Sequence, residues 1–593
     1  MQAQQSIYRD ASQSIESRVQ DLLAQMTIEE KVGQMTQVEK NSITPEDTKK
    51  YFIGSILSGG GGNPDPNNVV EWRRMVQSFM NASLETRLAI PMIYGSDAVH
   101  GHSNVKGATI FPHNIGLGAA RDTDLIERIA TATAKELLAT NVHWDFAPAV
   151  SVPQDIRWGR TYEGYSENTD LVSEIGAAFV RGLQVKMDSG EWVLGSVKHF
   201  VGDGGTEWDS RKDMGYTSAT NWQAASPNWR IDQGDMRVDE DTVRTVHLAP
   251  YRDAIDAGAE NIMVSFSSWN GLKMHAHEYL LNTVLKGEWG FKGFLVSDWM
   301  AVNQISEDFY KAIVTSINAG LDMIMVPYDY KQFISSMLEA VEKGDISIER
   351  VDDAVARILR VKFMLGLFEK PITDESYIET AGSDEHRAVA REAVQKSLVL
   401  LKNEDTLPLS KNATIALAGE AANDIGLACG GWTIDWQGGK GAITTGTTLF
   451  EGLKSDLEVQ FSATGEFDSP ASVGIVVVAE KPYAEGEGDK EDLSIPEDDK
   501  KLIEKMRGQC DKLVLIIYSG RPLIITDVVE QCDAIVAAWL PGSEASAIAD
   551  VLVGDVPFTG KLSYTWYASM DQLPLSNIKN SDDKPLWEFG FGL

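Results

Sequence analysis

Between residues 18 and 368, apolar runs of strand length alternate with longer stretches whose apolar positions recur at helical spacing. The runs are FIGSIL (52–57), PMIYGSD (91–97), VHWDFAPAV (142–150), GSVKHF (195–200), NIMVSFSSW (261–269), GFLVSDW (293–299) and DMIMVP (322–327). Between them lie segments such as DLIERIATATAKELLATN, with Asp124 near its start and an amphipathic period that predicts a helix. Strand–helix alternation repeated this often predicts a parallel sheet, and the spacing suits a (β/α)8 barrel of TIM type. Polar and aromatic residues collect at the C-terminal ends of the runs, namely Asp97, His199, Trp269 and Asp298. Those ends form the working face of such barrels. A single polar strand end means little, because strands exit into loops; four sharing the pattern carry weight.

Residues 369–385, EKPITDESYIETAGSDE, are polar and acidic without apolar periodicity and read as a linker. After a helix at about 386–396 a second α/β pattern begins, with strands expected at TIALAGE (414–420), VGIVVVAE (473–480), KLVLIIYSG (512–520), AIVAAWLP (534–541) and KLSYTW (561–566). Uninterrupted apolar runs of this kind indicate strands buried on both faces. The expected architecture is therefore α/β: a barrel over 1–368, the linker, and an α/β sandwich with a helix-covered sheet over 386–593. A Gly- and acid-rich stretch, YAEGEGDKEDLSIPEDD (483–499), follows directly on one of the buried runs. Loops placed this way carry function more often than the elements they join.

Composition narrows the function. The chain has 593 residues, 43% hydrophobic and 24% charged, the profile of a folded globular protein of several domains. No apolar run approaches the length needed to cross a bilayer, so membrane insertion is not expected. With 53 basic and 87 acidic residues the net charge is −34, which disfavours nucleic acid and anionic lipid as partners and suits a neutral substrate. Three cysteines, Cys429, Cys510 and Cys532, allow at most one disulfide, and none stands at zinc spacing. No metal or cofactor is expected. The first residues, MQAQQSIYRDAS, lack a charged segment followed by an apolar one. A periplasmic or extracellular protein with its signal peptide absent from this chain is the expectation, with the cytoplasm left open. Composition leaves the oligomeric state unknown.

Without a phosphate loop or cofactor signature, the polar strand ends must supply the chemistry. The simplest two-residue chemistry for a neutral polar substrate is glycoside hydrolysis by a carboxylate pair, one attacking the anomeric carbon and the other protonating the leaving oxygen. Asp298 ends a strongly apolar run and is followed by Trp299, an apolar platform for a sugar face. Position alone does not choose its partner among the acidic residues.

An ordered set of motifs makes the choice. IYGSDAVHG (93–101), RWGRTYEGYSE (157–167), VKHFVGDGGT (197–206), MVSFSSWNG (263–271), GFLVSDW (293–299), GGWTIDWQG (430–438), PYAEGEGD (482–489) and SGRPLII (519–525), closed by FGFGL (589–593), occur in an order and spacing that resemble family 3 glycoside hydrolases over nearly the whole chain. The resemblance is to the two-domain plant β-D-glucan exohydrolases and their bacterial relatives. It implies a retaining, exo-acting β-glucosidase or β-1,3(1,4)-glucan exohydrolase acting on neutral β-linked glucosides and gluco-oligosaccharides. It implies Asp298 as nucleophile and Glu485 as general acid/base, with Glu487 the next choice. Asp97, Arg160, Lys198 and His199 would hold the hydroxyls of one glucosyl unit, with Glu163 close behind. Trp299 and Trp436 would clamp the next sugar, with Trp432 nearby. Arg160, Lys198 and His199 are expected to lower the pKa of Asp298, and Glu487 and Asp489 to raise that of Glu485. Retention requires the two carboxyl groups to lie about 5–5.5 Å apart, which demands close docking of two domains.

The chain departs from the family pattern in two places. Phe266 stands where the plant relatives usually carry Tyr, so another group would have to satisfy Asp298. The stretch after GDGGT differs as well, and Trp208, Trp222 and Trp229 there are candidates to extend the sugar subsites. The histidines His100, His102, His275 and His277 read as structural or rim residues. Competing readings are a β-xylosidase or β-N-acetylglucosaminidase of the same family, or an inactive sugar-binding protein.

Overall fold

The computed structural model describes residues 6–211, 229–579 and 583–593. Each of the seven expected runs of the first half contains a strand, and an eighth precedes them. In chain order the strands are β1 (Thr36–Glu39), β2 (Ser55–Ser58), β3 (Ile93–Ser96), β4 (Trp144–Asp145), β5 (Leu194–Phe200), β6 (Asn261–Val264), β7 (Phe294–Val296) and β8 (Ile324–Met325). Every neighbouring pair is parallel, from β1–β2 round to β6–β7, and β8 returns beside β1. The ring closes between β7 and β8, where Val296 bridges Met323 and the Ser297 amide donates to the Met323 carbonyl at 3.0 Å. This is a closed eight-stranded α/β barrel.

β1 escaped the apolar pattern because its residues are TQVE. Inside a barrel polar side chains can pair with one another: the Gln37 amide donates to Ser55 Oγ at 2.9 Å, with both residues fully buried. The helices between strands start where the sequence supplies caps. Asp122 accepts the Leu125 amide at the start of Thr123–Ala139, and Thr27 and Glu30 form a reciprocal capping box on Ile28–Gln34.

Residues after the barrel lie against it. The Thr373 amide donates to Asn141 Oδ1 at 2.7 Å, Glu375–Thr380 forms a 3-10 turn, and Ser383 caps the helix Asp384–Ser397. The second sheet has six strands: β9 (Val399–Asn403), β10 (Thr414–Ala418), β11 (Glu458–Ser462), β12 (Ala471–Ala479), β13 (Cys510–Tyr518) and β14 (Ala534–Trp539). Their spatial order is β9-β14-β13-β12-β10-β11, parallel throughout except for β9 against β14. On β12, Val476 and Val478 enter one core cluster while Ile475 and Val477 enter the other, so the apolar run is covered on both faces.

One expected strand does not form. KLSYTW is irregular backbone, joined to the C-terminal tail by reciprocal amide–carbonyl bonds between Trp566 and Trp587 and by Leu562 donating to Phe591. Its apolar side chains pack beneath the sheet instead of extending it. The three cysteines are free.

Candidate active site

The carboxyl ends of all eight barrel strands open on one cavity of about 430 Å³. Glu39 comes from β1, Gly59 follows β2, Asp97 follows β3, Phe146 follows β4, and Lys198 and His199 lie on β5. Phe266 follows β6, Asp298 and Trp299 follow β7, and Tyr328 follows β8. Arg160 reaches the cavity from the loop after β4. The remaining wall is built by the second sheet: Trp432 and Trp436 from the loop after β10, and Glu485 from the loop after β12. β10 and β12 are adjacent strands at which the chain order reverses, the place where open α/β sheets position functional loops. Of the carboxylate pair and the sugar-holding residues expected from the motifs, only Glu163 does not line the cavity.

Glu163 lies directly behind. Its carboxylate accepts Arg160 Nε and Nη2 at 2.9 and 2.8 Å and the Trp432 indole N–H at 2.9 Å. Arg160 holds it below the usual range even though burial pushes it up. The third guanidinium nitrogen, Nη1, reaches Glu485 Oε1 at 3.4 Å. Lys198 Nζ lies 3.3 Å from Asp97 Oδ1. His199 Nδ1 lies 2.8 Å from Asp203 Oδ2, and its Nε2 faces Asp298 Oδ2 at 3.6 Å.

Asp298 Oδ1 accepts the Trp299 amide at 2.6 Å, and the Asp298 amide donates to His275 Nε2 at 3.1 Å. His275 therefore fixes the backbone of Asp298, a more specific task than the structural role its sequence context suggests. Among the described residues, Asp298 Oδ2 and Glu485 Oε2 are buried and have no hydrogen-bond partner. Phe266 offers no hydroxyl to Asp298, and no other described side chain replaces it.

The electrostatics reverse the sequence expectation for Asp298 and change the cause of the shift for Glu485. Burial outweighs Arg160 and Lys198 and pushes Asp298 up to about 6. His199 contributes no positive charge, because burial, Arg160 and Lys198 hold it well below its ordinary value. Glu485 is pushed well above the carboxylate range by burial, against Arg160, with Asp232, Asp298 and Glu163 adding to the rise. The neighbours responsible are thus barrel residues rather than Glu487 and Asp489.

Glu487 and Asp489 instead dock the loop. Asp489 Oδ2 accepts the amides of Arg230, Ile231 and Asp232, each at 2.9 Å, and Oδ1 accepts that of Gly159 at 2.8 Å. Glu487 Oε1 accepts the Trp229 indole N–H at 2.8 Å. Arg521, fully buried, binds the carbonyls of Ile156, Arg157 and Trp158 on the barrel and Gly488 on the loop. Trp229 does not extend the sugar subsites: it is buried against Gly486, whose added Cβ would lie 2.2 Å from the indole. Trp208 packs against the guanidinium groups of Arg157 and Arg230 and does not line the cavity, and Trp222 lies outside the described residues.

The sequence pattern missed Gly59–Gly62, Tyr328 and Asp232. The run SGGGG directly after a strand was the available signal for the first. A Cβ on Gly60 would come within 2.7 Å of Trp436 Cα, so the bare backbone lets the second-domain loop settle on the barrel.

Two family models cover most of the chain: the glycosyl hydrolase family 3 N terminal domain matches residues 27–226 and 230–361, and the family 3 C-terminal domain matches residues 398–593. The chain belongs to glycosyl hydrolase family 3. Among solved structures, an exo-1,3/1,4-β-glucanase from a Pseudoalteromonas species is 41% identical with a TM-score of 0.88, covering 98% of this chain and 74% of that one. A mutant β-glucosidase from Listeria innocua in complex with laminaribiose is 26% identical with a TM-score of 0.81, over 97% of this chain and 83% of that one. The lysosomal β-glucosidase of Dictyostelium discoideum is 31% identical over 97% of this chain and 75% of its own length.

Proposed function

We propose that this family 3 glycoside hydrolase is a retaining, exo-acting β-glucosidase or β-1,3(1,4)-glucan exohydrolase that releases glucose from non-reducing ends. The observation that carries the reading is that two carboxylate residues, Asp298 at the end of a barrel strand and Glu485 on a loop of the second domain, line one cavity together. The names of the relatives, a β-glucosidase and an exo-1,3/1,4-β-glucanase, supply the substrate class.

In the first half-reaction Asp298 attacks the anomeric carbon. The bond to the leaving oxygen breaks, and that oxygen takes the Glu485 proton. In the second, Glu485 removes a proton from water as the water displaces the glycosyl ester, returning Asp298 to its carboxylate. Asp97, Arg160, Lys198 and His199 surround the position of the reacting sugar and can bond its hydroxyls. With its Nδ1 directed at Asp203, a neutral His199 can present Nε2 as an acceptor. Trp299 and Trp436, from opposite domains, provide apolar faces for the sugar beyond. A cavity of about 430 Å³ has room for a glucosyl unit and part of the sugar beyond it.

A panel of 4-nitrophenyl glycosides tests the substrate assignment. The β-glucoside is expected to have the highest kcat/KM, with laminaribiose cleaved to glucose. A preference for the β-xyloside or the N-acetyl-β-glucosaminide would overturn the glucosidase reading, and no turnover of any would favour a sugar-binding protein.

A further inference from the structure

Beside the loop that carries Glu485 lies a carboxylate that the double displacement does not use. Asp232 is 3% exposed and sits on the barrel turn whose amides bind Asp489. Its Oδ1 accepts the Trp158 indole N–H at 2.8 Å, and its Oδ2 is buried with no hydrogen-bond partner among the described residues. The residue after Trp158, Gly159, binds Asp489 and packs on the Glu485 backbone so closely that a Cβ there would lie 1.9 Å from the Glu485 carbonyl oxygen. Two consecutive barrel residues therefore hold Asp232 on one side and the Glu485 loop on the other.

A buried carboxylate with an open oxygen is costly to keep, and packing alone gives no reason for one here. We propose that Asp232 is a positioning residue that governs where the Glu485 proton resides in both half-reactions. The proposal rests on the acid/base reading of Glu485. In the free enzyme the charges of Asp298 and Asp232 both act on Glu485. Once Asp298 is esterified its charge is gone, while that of Asp232 persists. Glu163, the other carboxylate facing Glu485, is tied to Arg160 by two hydrogen bonds. Asp232 is thus the neighbour that keeps Glu485 basic enough to take a proton from water in the second half-reaction.

Asp232 itself is faced by Arg160, Arg211, Glu163, Lys273, Glu485 and Asp489. Burial pushes it upward; Arg160, the Trp158 indole and Arg211 oppose that rise and favour its anion.

The test compares pH profiles of kcat/KM on 4-nitrophenyl β-glucoside for the wild type, Asp232→Asn, Glu485→Gln and the double variant. Asparagine keeps the acceptor for Trp158 and removes the charge. In Asp232→Asn the basic limb is expected to move down by about one pH unit while the acidic limb stays in place. Glu485→Gln should lack that limb, and adding Asp232→Asn to it should change nothing further in the profile. Trp158→Phe, which removes the hydrogen bond favouring the Asp232 anion, should shift the limb in the same direction by less, and it decides the matter if Asp232→Asn does not fold. A basic limb that stays put in these variants but disappears in Glu485→Gln would overturn the role of Asp232 alone. A limb that survives in Glu485→Gln would overturn the acid/base assignment, and this proposal with it.

Discussion

Asp298 and Glu485 share one cavity, yet their surroundings push them unequally. Both rise through burial, but Asp298 stops at about 6 because Arg160, the Trp299 amide and Lys198 oppose it. Glu485 is pushed well above its ordinary range by burial, and three carboxylates reinforce that rise against Arg160. A pair held apart in this way supplies a nucleophile and an acid at the same pH. The nucleophile must be ionised, so activity grows as pH rises through its folded value; the acid must be protonated, so activity falls as pH rises through the higher one. The acidic limb of kcat/KM is therefore expected near pH 6. A limb near the ordinary aspartate value of 3.8 would mean that burial does not control Asp298. That these two residues would share a cavity followed from their motifs; the sources of their pKa shifts did not, because Asp232 lies far from both in sequence and carries no pattern of its own.

At the scale of elements, the loop that carries Glu485, the proposed acid/base, is a short 3-10 turn, Glu485–Gly488. Glu485 has a φ of +54°, a left-handed conformation unusual for a residue with a side chain. Its carbonyl presses on Gly159, so the barrel holds the loop in that shape. Gly159→Ala is expected to displace the loop and lower kcat roughly 10²-fold or more on substrates with poor leaving groups, as loss of a placed general acid does. The effect should shrink on 2,4-dinitrophenyl β-glucoside, whose departure needs little protonation. Equal losses on both substrates would point to misfolding rather than to acid placement. Element identity was legible where hydrophobic pattern and environment agreed, as in β12 and β13. It failed at Thr36–Glu39, where polar side chains satisfy one another inside the barrel, and at KLSYTW, where an apolar alternation packs under the sheet against the C-terminal tail.

On the scale of the whole molecule, the site exists only because two sheets present their carboxyl edges to each other. Arg521, Asp489, Tyr162 and His113 make the junction. Tyr162 donates to the Tyr483 carbonyl at 2.6 Å, and His113 Nε2 meets the Gly431 carbonyl at 3.0 Å. Trp299 and Trp436 face one cavity across it. Strand periodicity predicted both sheets but could not predict their docking, which depends on single glycines and buried polar groups scattered through distant loops. The order of motifs carried that information instead, since the proposed pairing of SDW with PYAEGEGD requires the domains to meet. In the proposed mechanism Asp298 forms a covalent bond to the sugar while Glu485 serves it from the other domain. Inactivation with 2,4-dinitrophenyl 2-deoxy-2-fluoro-β-glucoside, followed by peptide mapping by mass spectrometry, identifies the carboxylate that becomes esterified. A fluoroglucosyl label is expected on the peptide containing Asp298 and absent in Asp298→Asn; a label on another carboxylate, or inverted glucose with no label, would overturn the assignment of Asp298.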